Sequence, residues 1–293
     1  MSGPRLFNRM RDGLAPLLRP VLERIGPIRR MGLWWLARRH PDTVELEGQS
    51  FRVDPRDFGV TLELHSTGTY EPFARGVCLD GLEPGMVFLD VGAHVGLYSL
   101  PSARKVGPEG RVISFEPHPG NRSLLCSNVE ANGLQNVTVV PAAVADAEGE
   151  MTLQISGFNT GDHRLFRGTR NADGVPVVVV TIDQYCETAG IQEVDLVKID
   201  VQGAEAKVLA GMSAVISQSP NMRIIMEYTP WMLRSAGDEP SRLLADLDDA
   251  GFDLFILDEA GATCVPATPA EIDAACPGRS YVNLLATRKA ISS

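Results

Sequence analysis

The sequence predicts an α/β protein organised around a mostly parallel, doubly wound sheet. Three observations carry this expectation. From Met86 onward, short apolar runs alternate with stretches of helical period, the pattern of repeated strand–helix units. The first of these runs ends in Asp90, Gly92 and Gly96, an acid and a glycine turn where such sheets place their ligand loop. The composition, 44% hydrophobic and 22% charged over 293 residues with mean hydropathy −0.01, is that of a globular chain. Disordered, collagen-like and disulfide-stapled classes are thereby excluded. At this length one dominant core with additions is expected.

Residues 1–42 read as a basic helical arm preceding the sheet. Residues 1–40 hold nine arginines against Asp12 and Glu23, a balance of +7, whereas 18 basic and 35 acidic residues leave −17 in the remainder. Leu6, Met10, Leu14, Leu17, Leu18, Val21, Leu22 and Ile25 recur at helical spacing, interrupted by Pro16, Pro20 and Pro27. Such an arm, with Trp34 and Trp35 near its end, suits peripheral contact with acidic lipid, docking on a partner, or packing as a lid on the protein's own acidic body. No uninterrupted apolar core precedes a small-residue cleavage site, so the arm is not read as a signal peptide. The longest apolar run, Val175 to Ile182, is strand-sized. It falls far short of the ~20 residues of a membrane-spanning helix, so no transmembrane segment is expected.

Residues 43–82 predict a hairpin, Val44 to Asp54 around Gly48, and two short helices ending near Leu82. Residues 83–290 form the expected core. Strands are predicted at Val87–Val91, Arg111–Phe115 and Val137–Val140, with helices to Lys105 and over Pro119–Asn132. A local antiparallel section spans Glu150–Ile155 and Val175–Thr181. Strand and helix then alternate again through Val194–Ile199, Ala204–Met212, Met222–Met226 and Ser241–Ala250, and strands at Phe252–Leu257 and Tyr281–Thr287 close the chain.

Five scattered cysteines without a Cys-x-x-Cys pair predict a reduced, cytoplasmic protein, and five histidines without an i, i+4 pair predict no dedicated metal site. The acidic body argues against a nucleic-acid surface, which needs many cations to neutralise phosphates.

The segment Phe88 to Tyr98 is the most informative. A strand ends at Asp90, Gly92 and Gly96 permit close backbone approach to a ligand, and a helix begins at once; Glu116 follows Gly96 by twenty residues, where a carboxylate can accept both hydroxyls of a ribose. Two nucleoside cofactors use that arrangement. A pyrophosphate dinucleotide needs Gly-x-Gly-x-x-Gly at a helix N-terminus. Here the third glycine is absent and an acid stands at the mouth, which suits S-adenosylmethionine, a ligand with a sulfonium and an ammonium but no phosphate.

Asp90–Gly96 (DVGAHVG), Phe115–Pro117 (FEP), Asn128–Val137 (NVEANGLQNV), Thr181–Asp183 (TID) and above all Val194–Glu205 (VDLVKIDVQGAE) resemble the FkbM family of S-adenosylmethionine-dependent methyltransferases, over about residues 70–230. His94 stands where many members have Asn, and Gln202 where many have Glu. The resemblance implies a Rossmann-like class I methyltransferase sheet, seven-stranded and mostly parallel with one antiparallel strand, and transfer of methyl to a hydroxyl of a sugar, glycolipid or polyketide-like product. It also implies that Asp90, Gly92, Ala93, His94 and Gly96 line the methionine end, that Glu116 holds the ribose, and that Ala143 and Val144 lie at the adenine edge. Asn128 and Glu71 join the expected cofactor shell, with core packing or helix capping an equal explanation for Tyr70 and Glu71. Asp146 either accepts from the adenine amine or is a solvated turn residue.

Methyl transfer is an in-line displacement that needs positioning and removal of a hydroxyl proton. Asp200, at the tip of a strand, is placed either as that base or as a partner for the methionine ammonium. Glu227 ends the next strand and is a second candidate for orienting substrate. Glu205 is read either as part of the site or as a helix-terminal carboxylate. His163, in a loop with Asn159, Asp162 and Arg164, has the ionisation range of a base, and a surface turn is the alternative. A non-catalytic adaptor docking through its arm, and a nucleic-acid methyltransferase, are the competing classes. The first would have lost Asp90, Gly92, Gly96, Glu116 or Asp200. The second would carry Asn-Pro-Pro-aromatic where this chain has Asp200–Gly203.

Overall fold

The computed structural model describes residues 41–57, 59–155, 161, 163–166 and 174–288. The arm of residues 1–40, with Asn159 and Asp162, lies outside the described residues, and Arg164 is described through its backbone alone.

The chain divides into two compact units between Tyr70 and Glu71, with Gly161 also in the first; the sequence placed its boundary at 82. In the first unit, β1 (Thr43–Leu46) and β2 (Gln49–Arg52) form an antiparallel hairpin. Its two-residue turn, Glu47 (φ 53) and Gly48 (φ 72), has the twist that tight hairpins require. Helix α1 (Val60–Thr67) starts where the Asp57 carboxylate accepts the Thr61 amide at 2.8 Å, and ends at Gly68 in the left-handed conformation.

The second unit comprises α2 (Pro72–Asp80), β3 (Val87–Val91), α3 (Ser99–Val106), β4 (Arg111–Phe115), α4 (Pro119–Ala131), β5 (Val137–Val140), β6 (Ala142–Val144), β7 (Gly149–Gln154), β8 (Arg164–Phe166), β9 (Gly174–Val180) and α5 (Ile182–Ala189). It continues through β10 (Leu196–Ile199), α6 (Glu205–Ala210), α7 (Ser213–Gln218), β11 (Arg223–Tyr228), α8 (Pro230–Ala236), α9 (Pro240–Asp249), β12 (Asp253–Asp258), β13 (Thr263–Pro266), α10 (Pro269–Ala274) and β14 (Val282–Thr287).

The main sheet runs β13-β12-β14-β11-β10-β3-β4-β5. Strands β5, β4, β3, β10 and β11 are mutually parallel, and β14 inserts antiparallel between β11 and β12. The seven expected strands are present. An eighth, β13, is added at the edge by a hairpin with β12. The sequence predicts no strand at Thr263–Pro266, because a four-residue edge strand buried on neither face carries no alternation to detect. The antiparallel section is also present, as a separate sheet β6-β9-β7-β8.

Parallel strands covered on both faces must be apolar on both, which is why β3 and β10 read as continuous runs rather than alternations. Leu89, Val91, Ile113, Phe115, Val197 and Ile199 pack on one face against α5, α6, α7 and α9. Phe88, Val112, Leu196 and Ile225 pack on the other against α2 and α3. No helix among the described residues is long and apolar enough to cross a membrane.

Helix α2 is anchored at its N-terminus by a distant carboxylate: Glu259 accepts the amides of Phe73 (3.0 Å) and Ala74 (2.7 Å). These are orphan amides of the first turn, and an anion there also opposes the helix dipole. Replacement Glu259→Ala is expected to lower the unfolding free energy by about 1–2 kcal/mol in denaturant melts, with Glu259→Gln intermediate.

Candidate active site

At the carboxyl end of β3 the chain turns sharply over its neighbours. The amides of Gly92 and Ala93 both donate to the Phe115 carbonyl at 3.0 Å, joining the loop to the tip of β4. Gly92 has φ 85 and lies so close to β10 that a Cβ would run into the Asp200 carbonyl oxygen. Both its dihedral and its surroundings therefore demand glycine. Gly96 (φ 96) meets the same demand against Leu100 and Leu125. His94 holds φ 52 without being glycine, and its amide donates to Glu116 Oε2 at 2.9 Å. The His118 amide donates to Glu116 Oε1 at 2.7 Å. Each Glu116 oxygen has a lone pair left for a ligand hydroxyl. Asn128, on α4, donates its side-chain amide to the Val95 carbonyl at 2.8 Å and so braces this loop.

Around the neighbouring strand tips the structure gathers acids. Asp90 on β3 and Lys198 on β10 stand side by side in register. Asp90 Oδ2 accepts from Ser99 Oγ at 2.5 Å, and Ser99 in turn meets Ser114 at 2.7 Å. Asp90 Oδ1 is buried and has no hydrogen-bond partner among the described residues. Lys198 Nζ lies 3.2 Å from Asp200 Oδ2 and 5.0 Å from the centre of the Tyr98 ring. The Tyr98 hydroxyl donates to Glu71 Oε2 at 2.8 Å, and Asn283 from β14 donates to Glu71 Oε1 at 3.4 Å. Glu71 stands at the N-cap position of α2 with a left-handed backbone (φ 40), and its side chain makes no capping hydrogen bond to the helix. Gln202 Nε2 joins Asp200 Oδ1 (2.7 Å) to Glu227 Oε1 (3.2 Å), and Thr229 also donates to Glu227 Oε1 at 2.9 Å.

Other expected site residues are placed differently. Glu205 spends both oxygens on the Gly203 amide at 3.0 Å and one also on the Val201 amide at 3.2 Å, the geometry of a turn cap. Ala143 packs in the core of the second sheet and Val144 in the main core. Asp146 is exposed beyond β6, and Tyr70 belongs to the first unit. His163 stacks edge-on against His118, ring centres 4.4 Å apart, and its electrostatic neighbours are His118 and His94 rather than Asp200. Burial and those neighbours push its imidazole down to about 3, which makes it a poor proton acceptor near neutrality. Sequence reasoning assigned no role to Lys198, Tyr98, Ser99 or Asn283. The i, i+2 spacing of Lys198 and Asp200 was a usable signal for the first. Asn283 reaches Glu71 across 212 residues, and no local pattern announces it.

Residues 90–254 match the model of the family described as the Methyltransferase FkbM domain. The chain belongs to the FkbM methyltransferase family. It is 26% identical over 217 residues to methyltransferase sdnD of Sordaria araneosa, covering 63% of this chain and 81% of that protein. It is 28% identical over 185 residues to the 2-O-methyltransferase NoeI of Sinorhizobium fredii (56% and 72%). It is 26% identical over 193 residues to the hexuronic acid methyltransferase AglP of Haloferax volcanii (64% and 75%).

This FkbM methyltransferase is an enzyme whose methyl donor is S-adenosylmethionine. The site residues fit that donor. A buried carboxylate oxygen without a partner, on Asp90, is a demand for a cation or a donor group, and the surrounding acids outweigh the Lys198 ammonium.

The same burial shifts the acids upward. Desolvation raises Glu116 to about 8 against its two amide hydrogen bonds. It raises Glu71 to about 7, helped by the Asp200 charge and opposed by Lys198, and Glu205 to about 7. Asp90 and Glu227 are also raised by desolvation, Glu227 further by Asp200 and Glu71. These carboxyls hold more protons folded than unfolded, so stability falls as pH rises through their folded values. The histidines His118 and His163, lowered from 6.5, act with the opposite sign below that value. Lys198, raised by its acids, contributes fully below 10.5 and stays constant in between. Donor-free protein should therefore lose roughly 2–4 kcal/mol of unfolding free energy between about pH 6.5 and about pH 9 in denaturant melts. A flat profile there would mean that the acids are solvated.

Proposed function

We propose that this protein is an O-methyltransferase that methylates a hydroxyl of a sugar, glycolipid or polyketide-like product, with Asp200 as the proton acceptor. The observation that carries the reading is the group of acids from four strand tips and α2, Asp90, Glu116, Asp200, Glu227 and Glu71, gathered beside one glycine turn. In the proposed arrangement Glu116 accepts the ribose hydroxyls, and Asp90, with its unpartnered oxygen, receives the positive end of the methionine moiety. When bound, the donor supplies a methyl carbon already activated by its sulfonium. The protein's part is to align the acceptor, take its proton and keep water away.

Asp200 suits the proton-accepting role because Lys198 and Gln202 grip its two oxygens, fixing its orientation at the end of β10. A hydroxyl that approaches it gives up its proton to the carboxylate as its oxygen takes the methyl group. The 2-O-methyltransferase and hexuronic acid methyltransferase named among its relatives support a carbohydrate-like hydroxyl as acceptor. The acidic body of the chain speaks against nucleic acid in that place.

Two measurements test this. Calorimetric titration with S-adenosylmethionine should show saturable binding, weakened roughly tenfold to a hundredfold by Asp90→Asn, since a charged hydrogen bond contributes about 1.5–3 kcal/mol. A labelled-methyl screen over uronic acids, neutral sugars, glycolipids and macrolactones should yield ether products. In that assay Asp200→Asn should cut kcat by about 10²–10⁴ while donor affinity changes less than tenfold. Absence of donor binding, or methyl found on nitrogen or carbon, would refute the proposal.

A further inference from the structure

Gln202 occupies an unusual position for a long polar side chain. It follows β10 at φ 56, in the left-handed region that favours glycine or asparagine, between Asp200 and Gly203. Such a backbone is strained and persists where the surrounding contacts return something. What they return is visible here. One amide nitrogen donates both to Asp200 Oδ1 at 2.7 Å and to Glu227 Oε1 at 3.2 Å, tying together acids from two adjacent parallel strands.

A neutral amide suits the junction that this chain builds between Asp200 and Glu227. Two carboxyl groups this close cannot both ionise freely unless a donor lies between them, and burial, Asp200 and Glu71 all push Glu227 above the usual carboxylate range. A primary amide offers two hydrogens, carries no charge and does not titrate, so it satisfies both acids at every pH. Lys198 takes Asp200 Oδ2 at 3.2 Å, so both Asp200 oxygens are engaged. At Glu227 both donors, Gln202 and Thr229, fall on Oε1, and Oε2 accepts no hydrogen bond among the described residues.

We propose that Gln202 is a positioning residue whose neutral amide ties Asp200 and Glu227 into one rigid acid pair, orienting Asp200 for the acceptor's proton and leaving Glu227 Oε2 to grip the acceptor. This rests on the reading of the cleft as the methyl-transfer site. Its strongest discriminator is a substitution that preserves size but makes the bridge titratable. In Gln202→Glu the side chain is protonated and able to donate at low pH, and becomes a further anion between two acids at high pH. Gln202→Met removes the donor at every pH.

The test uses the full chain. Thermal melts of donor-free wild type, Q202E and Q202M are recorded at about pH 5.5 and about pH 8.5, either side of the range in which a buried carboxyl titrates. Q202E should melt within about 2 °C of wild type at the lower pH and fall at least a further 4 °C behind at the higher one, whereas any deficit of Q202M should be the same at both. With the acceptor found in the screen, Q202E turnover should decline as pH rises across a range where wild type holds, while S-adenosylmethionine affinity stays within tenfold of wild type. Equal deficits for Q202E at both pH values, or none at either, would overturn the proposal even if Q202M does not fold. Failure of wild type to bind donor would instead refute the function, and the pH contrast in the melts would still decide whether the bridge exists.

Discussion

Like charge held out of water is the constraint on which the catalytic unit depends. Glu71, Asp90 and Asp200 come together around the Lys198 ammonium, with Glu227 beside Asp200 and Glu71, and the protein accepts their desolvation because hydroxyls, amides and that cation divide them among themselves. Ser99 serves Asp90, Tyr98 and Asn283 serve Glu71, Thr229 serves Glu227, and Gln202 serves both Asp200 and Glu227. The arrangement is costly for a protein alone and favourable for one that receives a positively charged ligand. A cation entering this space is met by carboxyls already held in orientation, and its charge favours their ionised form, so little reorganisation is needed when it binds.

The backbone bears part of that cost. Of the described non-glycine residues with positive φ, Glu71, His94 and Gln202 sit in the site itself, and Gly92 lies beside the Asp200 carbonyl where a side chain would not fit. Strain at such places is held by the rigid sheet beneath: β3 and β10 are buried on both faces and paired in register, so the loops at their tips cannot relax without disturbing the core. Precision at the strand ends thus follows from apolar packing several residues away.

Much of the fold was legible because parallel strands in a two-sided sheet produce apolar runs, and those at Val87–Val91, Arg111–Phe115 and Leu196–Ile199 stand out from the helices between them. The glycine turn was legible for a related reason: a positive φ and a close backbone approach leave glycine as the residue that fits, so Gly92 and Gly96 mark the loop in one dimension as well as in three. Strand β13 was not, since it is short and exposed. Within the site, acids at strand ends could be listed but their division of labour could not. Glu205 proved to be spent on backbone amides, and His163 to sit beside His118 and His94. Those outcomes depend on contacts between residues distant in sequence, as does the Asn283–Glu71 hydrogen bond, and periodicity carries no record of them.

We propose that this acidic cleft receives a cationic nucleoside. A crystal structure with sinefungin, whose amine stands where the sulfonium would be, examines it directly. The ribose hydroxyls should lie on the Glu116 carboxylate and the ligand's cationic groups within hydrogen-bonding reach of Asp90 or Asp200, with the adenosine running past the Gly92–Gly96 turn. A ribose remote from Glu116, or a cleft that takes a pyrophosphate dinucleotide over the same turn and leaves sinefungin in solution, would contradict it.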